Sequence, residues 1–234
     1  MSNDEFKREA ANAAVERYVE SGMVVGLGTG STATFAVRRI GELVASGELR
    51  NLRGVPTSAK TTALVNELGI PLATLSEARP HLTIDGTDEV APGLALIKGR
   101  GGALLREKIV ASSSVEALIV VADSSKTVDT LGAGPLPVEI DTFGWEVTLE
   151  ALASLGCEPE LRMDQSDPGR PFVTDGGHYT ADCTFDSIPD PASLETEIKK
   201  IPGALECGLF VGIARAAIIV GEDGQQTIEA TPRP

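Results

Sequence analysis

Ala117-Leu118-Ile119-Val120-Val121-Ala122 is a run of six apolar residues with no polar interruption. A strand of that composition has no face to offer water, so it belongs inside a sheet covered on both sides. The preceding residues supply strands and covering helices in turn. Asp4 to Val19 reads as a helix, with Phe6, Ala10, Ala13, Ala14 and Tyr18 at helical spacing, Asn3 or Asp4 as its cap and Gly22 as its stop. Met23 to Leu27 is a short apolar strand, and Ala33 to about Ala45 a helix with Phe35, Val37, Ile40, Leu43 and Val44 facing inward. Val55-Pro56-Thr57 ends a second strand. Thr57 or Ser58 caps a helix from Ala59 to Leu68, and Gly69 stops it. Pro71 to Leu75 and Leu82 to Asp85 continue the alternation. This order predicts a Rossmann-like, mostly parallel α/β sheet with helices on both faces.

Chemistry-bearing residues fall where those strands end. The strand 82–85 releases the chain at Asp85-Gly86-Thr87-Asp88-Glu89, and a second short strand, Leu94 to Ile97, opens into Lys98-Gly99-Arg100-Gly101-Gly102. A helix over Ala103 to Ala111 follows, with Glu107 about one turn in. Ligands of open α/β sheets sit at the carboxyl edge. Taken singly these residues are ordinary: turn aspartates, a solvated lysine, a helix-surface glutamate paired with Arg106 or Lys108. Arg100 reads equally as a solvated charge or a ligand contact, and Lys126, past the strand 117–122, as a surface lysine or a ligand contact. Their concentration at strand ends expected to share one edge favours a site.

Gly28-Thr29-Gly30-Ser31-Thr32 joins a strand to a helix, so free amides, hydroxyls and the helix dipole suit a phosphate there. The alternative is a plain tight turn and helix cap. The dinucleotide fingerprint fails because Gly26 and Gly28 are followed by Ser31, and Thr57 stands where an acid would hold a ribose. Neither glycine loop ends in Gly-Lys-Ser/Thr, which excludes a P-loop.

The chain then changes character. Pro135 to Ile140 reads as an edge strand that tolerates proline, Trp145 to Leu155 as a helix and Glu158 to Met163 as a strand. Phe172 to Thr174 and Tyr179 to Thr184 flank Asp175-Gly176-Gly177, a hairpin signal. Leu194 to Lys200 is a helix ended by Ile201-Pro202-Gly203. The expected organisation is an α/β catalytic domain from residues 1–130 and 205–234, with a small α+β, ferredoxin-like insert over 131–204. Leu209 to Ile213 and Ala216 to Val220 are strand material that rejoins the first sheet, and the tail after Ala230 frays.

Several classes are excluded. A net charge of -14 with no basic stripe argues against nucleic acid. No apolar run approaches the ~20 residues of a membrane span, and the polar, acidic start argues against a signal peptide. Cys157, Cys183 and Cys207 are odd in number and widely spaced, which gives neither a disulfide framework nor a metal pair. They read as core thiols of a cytoplasmic protein. His81 and His178 stand apart, so no metal is assigned.

Together these motifs resemble the type A ribose-5-phosphate isomerase family along essentially the whole chain. Gly28 to Ala33 is similar to that family's phosphate-side loop, Asp85 to Glu89 to its D-G-A-D-E with Thr87 for alanine, Lys98 to Ala103 to its K-G-G-G-A-A, and Arg106-Glu107-Lys108 to its R-E-K. Ala122 to Lys126, Pro135 to Glu139 and Gly208 to Phe210 fit later signatures in order, and Lys7 matches a lysine of the first helix. The departure is Arg100, where glycine is usual. The resemblance implies an aldose–ketose isomerase of the pentose phosphate pathway, without cofactor, acting on a phosphorylated pentose as a homodimer or homotetramer. It makes Glu107 the proton carrier, Asp85 the aid to ring opening, Asp88 the holder of sugar hydroxyls and Lys98 the oxyanion partner. Thr29, Gly30, Ser31, Thr32, Gly86, Thr87, Gly99, Arg100, Gly101, Lys126 and Lys7 become substrate contacts. The competing readings are a sugar-phosphate-sensing module, which would not need Glu107, and a nucleotide- or CoA-ester-handling transferase.

Overall fold

A computed structural model describes residues 2–230, so the tail expected to fray after Ala230 lies outside the described residues. In chain order the elements are α1 (Asn3–Tyr18), β1 (Val24–Leu27), α2 (Ser31–Ala45), β2 (Arg53–Pro56), α3 (Ala59–Glu67), β3 (Leu82–Gly86), β4 (Glu89–Ala91), β5 (Ala95–Ile97), α4 (Leu104–Ser113) and β6 (Ala117–Asp123). There follow β7 (Leu136–Ile140), α5 (Trp145–Ala153), β8 (Glu158–Leu161), β9 (Tyr179–Thr184), α6 (Pro191–Ile198), β10 (Ala204–Cys207), β11 (Leu209–Phe210), β12 (Ala214–Gly221) and β13 (Gly224–Glu229). They form two compact units. Among the described residues, one holds 2–87, 106–127 and 212–230, the other 88–105 and 128–211.

The first unit is a six-stranded sheet in the order β13-β12-β6-β3-β1-β2, parallel except for the β12–β13 hairpin. Leu118 to Ala122 are all buried, as a strand covered on both faces requires. On one face Val25, Leu27, Leu82, Ile84, Ile119 and Val121 pack with α1 and α2. On the other, Val24 and Val55 pack with Val110 of α4. The chain runs from β1 outward to β2 and returns on the other side of β1 to form β3. The order therefore reverses between β1 and β3, and in such sheets the crevice at that point receives the ligand.

The second unit carries two antiparallel sheets, β10-β7-β9-β8 and β11-β5-β4. The succession β7-α5-β8-β9-α6-β10 in that strand order is the ferredoxin-like split βαβ arrangement. Its core joins Leu136, Val138, Ile140, Leu152, Ala181 and Ile198 with all three cysteines, which are buried and free. Contact with Cys157, then burial, pushes the Cys183 thiol well above the ordinary range, so it is an inert packing group.

Several sequence expectations need correction. Ser2, not Asn3 or Asp4, caps α1. It accepts the Glu5 N–H at 3.4 Å while its own N–H donates to Glu5 Oε2 at 2.6 Å, a reciprocal box set by the Ser2–Glu5 spacing. Pro71 to Leu75 forms no strand; only a parallel bridge between Gly54 and Leu72 is made, because Thr74 turns the chain by binding Glu77. β7 is not an edge strand but lies between β10 and β9. Pro137 is accommodated because its carbonyl, and hence its missing N–H, faces β10 where that strand runs out into Gly208, whose N–H donates to Pro137 O at 2.7 Å. Phe172 to Thr174 is a turn arm without strand pairing, and Leu209-Phe210 pairs with β5 rather than rejoining the large sheet. Residues 88–105, expected within the first domain, cluster with the second unit because β4 and β5 pair with β11.

Replacing Ser2 by Ala is expected to lower stability by about 1 kcal/mol, read as a shifted urea midpoint at unchanged slope. Asn3→Ala is expected to leave the midpoint in place.

Candidate active site

At the β1–β3 reversal the register sets Leu27 opposite Ile84, so Gly28 meets Asp85. The Gly28 N–H donates to Ile84 O at 3.0 Å. Asp85 is fully buried, and its Oδ1 accepts N–H groups from Thr29 at 3.1 Å and Gly86 at 2.7 Å. Gly28 has no side chain to spare: a Cβ there would lie 2.1 Å from Asp85 Oδ1. The carboxylate thus fixes the loop after β1 to the end of β3.

The Thr29 hydroxyl turns inward, 2.7 Å from Thr57 Oγ1, 2.8 Å from Ser58 Oγ and 3.1 Å from Thr61 Oγ1. Thr61 Oγ1 in turn donates to Gly28 O at 3.0 Å. This hydroxyl cluster was legible only as a cap: Ser58 does cap α3, through the Thr61 N–H. Thr29 therefore builds the loop from behind. The donors left at its front belong to the start of α2, where Ser31 is exposed, Thr32 is buried, and the first amides have no acceptor one turn back. Gly86 lies beside Thr32: a Cβ built on it would stand 3.7 Å from the Thr32 Cβ. Thr87 is half-buried just beyond.

Glu107 sits in the first turn of α4 and is 3% exposed. Leu104, Glu107, Lys108 and Ala111, spaced as one helix face, are all buried, whereas Ile109 is 46% exposed. Glu107 is therefore not a helix-surface group. Lys126 closes a short 3-10 turn after β6 and is half-buried. Lys7 of α1 bonds Asp4 Oδ1 at 3.1 Å. Among the described residues no hydrogen bond joins Lys7 or Lys126 to the Thr29–Asp85 cluster.

The second unit gathers Asp88, Lys98 and the glycine loop. Asp88 N–H donates to Ile97 O at 2.9 Å, and the Arg100 N–H donates to Asp88 Oδ2 at 2.9 Å. Lys98 is 2% exposed; its N–H donates to Gly208 O and its ammonium stands 5.4 Å from the centroid of the Phe210 ring. That burial overturns the solvated-lysine alternative. Gly99 is in the left-handed region, φ +100°, with Leu104 packed where a Cβ would go.

The Arg100 side chain is committed inside the protein. Its Nη2 meets Glu89 Oε1 at 2.5 Å and its Nε donates to Pro135 O at 3.2 Å. Glu89, itself buried, also accepts the N–H groups of Gly132 and Gly134, each at 2.8 Å. The extra side chain in the glycine loop is thus a tether to residues 132–135. Glu89 carried no assigned role in the sequence, although an acid opening an apolar Glu-Val-Ala strand was a signal. Arg162, whose guanidinium reaches the Gly99 and Arg100 carbonyls, gave no local signal at all. As for metals, one set of ligating atoms among the described residues, from Glu195, Glu206 and Cys207, lies within 4.8 Å. It is already served by a cation, Lys199, 3.1 Å from Glu206.

The profile of the ribose 5-phosphate isomerase A (phosphoriboisomerase A) family matches residues 53–224. The chain belongs to the ribose 5-phosphate isomerase A family. The ribose-5-phosphate isomerase A of Gloeobacter violaceus is 54% identical over 237 residues, covering all of both chains. That of Roseiflexus castenholzii is 50% identical over 232 residues, covering 98% of this chain and 97% of its own. Among solved structures, ribose 5-phosphate isomerase from Plasmodium falciparum superposes with a TM-score of 0.93 at 42% identity, over 98% of this chain and 100% of that one. A D-ribose-5-phosphate isomerase in complex with phospho-erythronic acid gives 0.94 at 38% identity, with the same coverage. The chain is accordingly an aldose–ketose isomerase that interconverts ribose 5-phosphate and ribulose 5-phosphate, and the sensing-module and transferase readings fall away. No helix among the described residues is long and apolar enough to cross a membrane.

Gly28→Ala is expected to cost about 1–3 kcal/mol in urea unfolding, the range for an overpacked core, and to lower isomerase activity by displacing Asp85.

Proposed function

We propose that this isomerase works by metal-free proton transfer through an enediolate, with Glu107 as the carrier. Asp85 assists opening of the furanose by handling the proton of the ring and C1 oxygens. In the open aldehyde, Glu107 takes the proton from C2, electron density moves onto O1, and an enediolate forms. Glu107 returns the proton to C1 while the O2 proton passes to O1 and the O2 electrons close the C2 carbonyl, which gives the ketose with atoms and electrons balanced. Lys98 and the amides of Gly99 to Gly101 stabilise the charge on the oxygens, a kind of contact worth roughly 3–4 kcal/mol per well-placed donor. Asp88 holds sugar hydroxyls.

The observation that carries this reading is burial: Asp85, Lys98 and Glu107 are 0%, 2% and 3% exposed. Removing three ionisable side chains from water is costly, and such groups collect where proton transfer is done. The phosphate is assigned to the start of α2, where Gly30, Ser31 and Thr32 offer amides and hydroxyls to an anion, with Lys126 and Lys7 as counter-charges. Gly86 and Thr87 line the sugar. The relative bound to phospho-erythronic acid, a phosphorylated sugar acid, supports a site of this class. Three free, buried thiols accord with a reducing, cytoplasmic setting, and a homodimer or homotetramer is the proposed assembly.

Glu107→Gln is expected to fold normally and to lose about two or more orders of magnitude in kcat, followed by ketose formation from ribose 5-phosphate; near-normal turnover removes Glu107 from the mechanism. Lys126→Ala is expected to raise KM for ribose 5-phosphate about tenfold or more, the scale of a lost charged hydrogen bond. An unchanged KM counts against a phosphate role.

A further inference from the structure

Lys98-Gly99-Arg100-Gly101-Gly102 has little of its own to hold it in shape, because three of five residues are glycine. Its conformation must be imposed by groups elsewhere in the chain. One of these is Arg162, just past the end of β8. Its guanidinium is gripped by Asp182 of β9, with Nε 2.8 Å from Oδ2 and Nη2 bonded to Oδ1. That two-point pairing leaves Nη1, which donates to Gly99 O at 3.3 Å and Arg100 O at 3.2 Å. The Phe172 ring lies beside the guanidinium, its centroid 5.8 Å from Cζ.

Two successive carbonyls converge on one nitrogen, next to a Gly99 held at a left-handed φ of +100°. All peptide bonds among the described residues are trans, so each carbonyl drawn toward Arg162 sends the following N–H away from it. The first such N–H, of Arg100, reaches Asp88 Oδ2. The second belongs to Gly101, which is exposed. Drawing the carbonyls to one side presents the amides on the other, the arrangement that binds anions in backbone nests.

We propose that Arg162, locked by Asp182, is a positioning residue for the isomerisation: it holds the two carbonyls so that the Arg100 amide stays on Asp88 and the Gly101 amide faces the charge developing on the substrate oxygens. This rests on the reading of the 98–101 loop as the oxyanion cradle. Arginine suits the task because a planar fork can satisfy a carboxylate on one edge and carbonyls on another, which a lysine ammonium cannot do in one geometry. The effect falls on the transition state, since the cradle acts where charge develops, so kcat is the constant that changes.

The test is steady-state kinetics with ribose 5-phosphate on the full chain carrying Arg162→Lys, Arg162→Ala or Asp182→Asn. The expected result is a kcat lower by about 10- to 100-fold in both Arg162 variants, with KM within about threefold of the wild type and an unchanged circular-dichroism spectrum. Guanidinium chloride at low millimolar concentration is expected to restore part of the kcat of Arg162→Ala but none in Arg162→Lys. A cavity of about 510 Å³ lined by Arg100, Gly101, Arg162 and Phe172 gives the small cation a way in. Asp182→Asn is expected to show a smaller kcat loss and covers the case in which Arg162→Ala does not fold. Unchanged kcat in folded Arg162→Lys overturns the proposal, as does a kcat loss that tracks thermal instability and is not rescued. Failure of the underlying reading is seen separately, as a wild-type protein that makes no ketose or a Glu107→Gln protein that still does.

Discussion

One carboxylate organises the α/β unit. Asp85 stands with no exposure at the point where the sheet changes direction, and a single oxygen gathers the Thr29 and Gly86 amides. Those two bonds bring the loop leaving β1 and the end of β3 into one fixed arrangement. The arrangement exists only because residue 28 has no side chain. From it follow the inward turn of the Thr29 hydroxyl, the backing of Thr57, Ser58 and Thr61, and the direction in which α2 begins. A buried acid is an expensive way to join two loops. The proposed part of Asp85 in opening the sugar ring gives a reason for an acid there in place of a cheaper apolar contact.

The glycine loop of the second unit is controlled from outside in the same manner. Arg100 anchors it through Glu89 to residues 132–135, and Arg162 with Asp182 holds its carbonyls. Glycine supplies a backbone that can approach a ligand closely, and charged pairs with directional forks supply the rigidity glycine lacks. A glycine at position 100 would leave the Glu89 tether without its guanidinium. The Arg100 side chain adds a restraint without crowding the loop, because it leaves toward Glu89 and Pro135.

Much of the first sheet was legible because its signals are local. A run such as Leu118 to Ala122 admits one environment, and Gly22, Gly69 and Ser58 mark helix ends by conformational rules that need no tertiary context. The expectations that failed concern relations between distant segments. Pro137 looked like an edge marker, yet its neighbour β10 is formed by residues 204–207, far along the chain. β4, β10 and β13 are short or polar strands whose identity comes from their partners, and no period within them announces it. The site divides along the same line. The residue types at Asp85, Asp88, Lys98 and Glu107 were readable, but their burial was not, since a lysine or glutamate in isolation looks solvated. Arg162 was invisible because its partners lie 62 and 63 residues away.

The position of Glu107 when substrate occupies the site decides the proposed mechanism. The direct measurement is a crystal structure of the protein with a five-carbon phosphorylated sugar acid in place of the open-chain aldose. The Glu107 carboxylate is expected within about 3.5 Å of the carbons equivalent to C1 and C2, with the phosphate seated at the start of α2. A complex in which the phosphate is so placed while Glu107 points away from both carbons contradicts it.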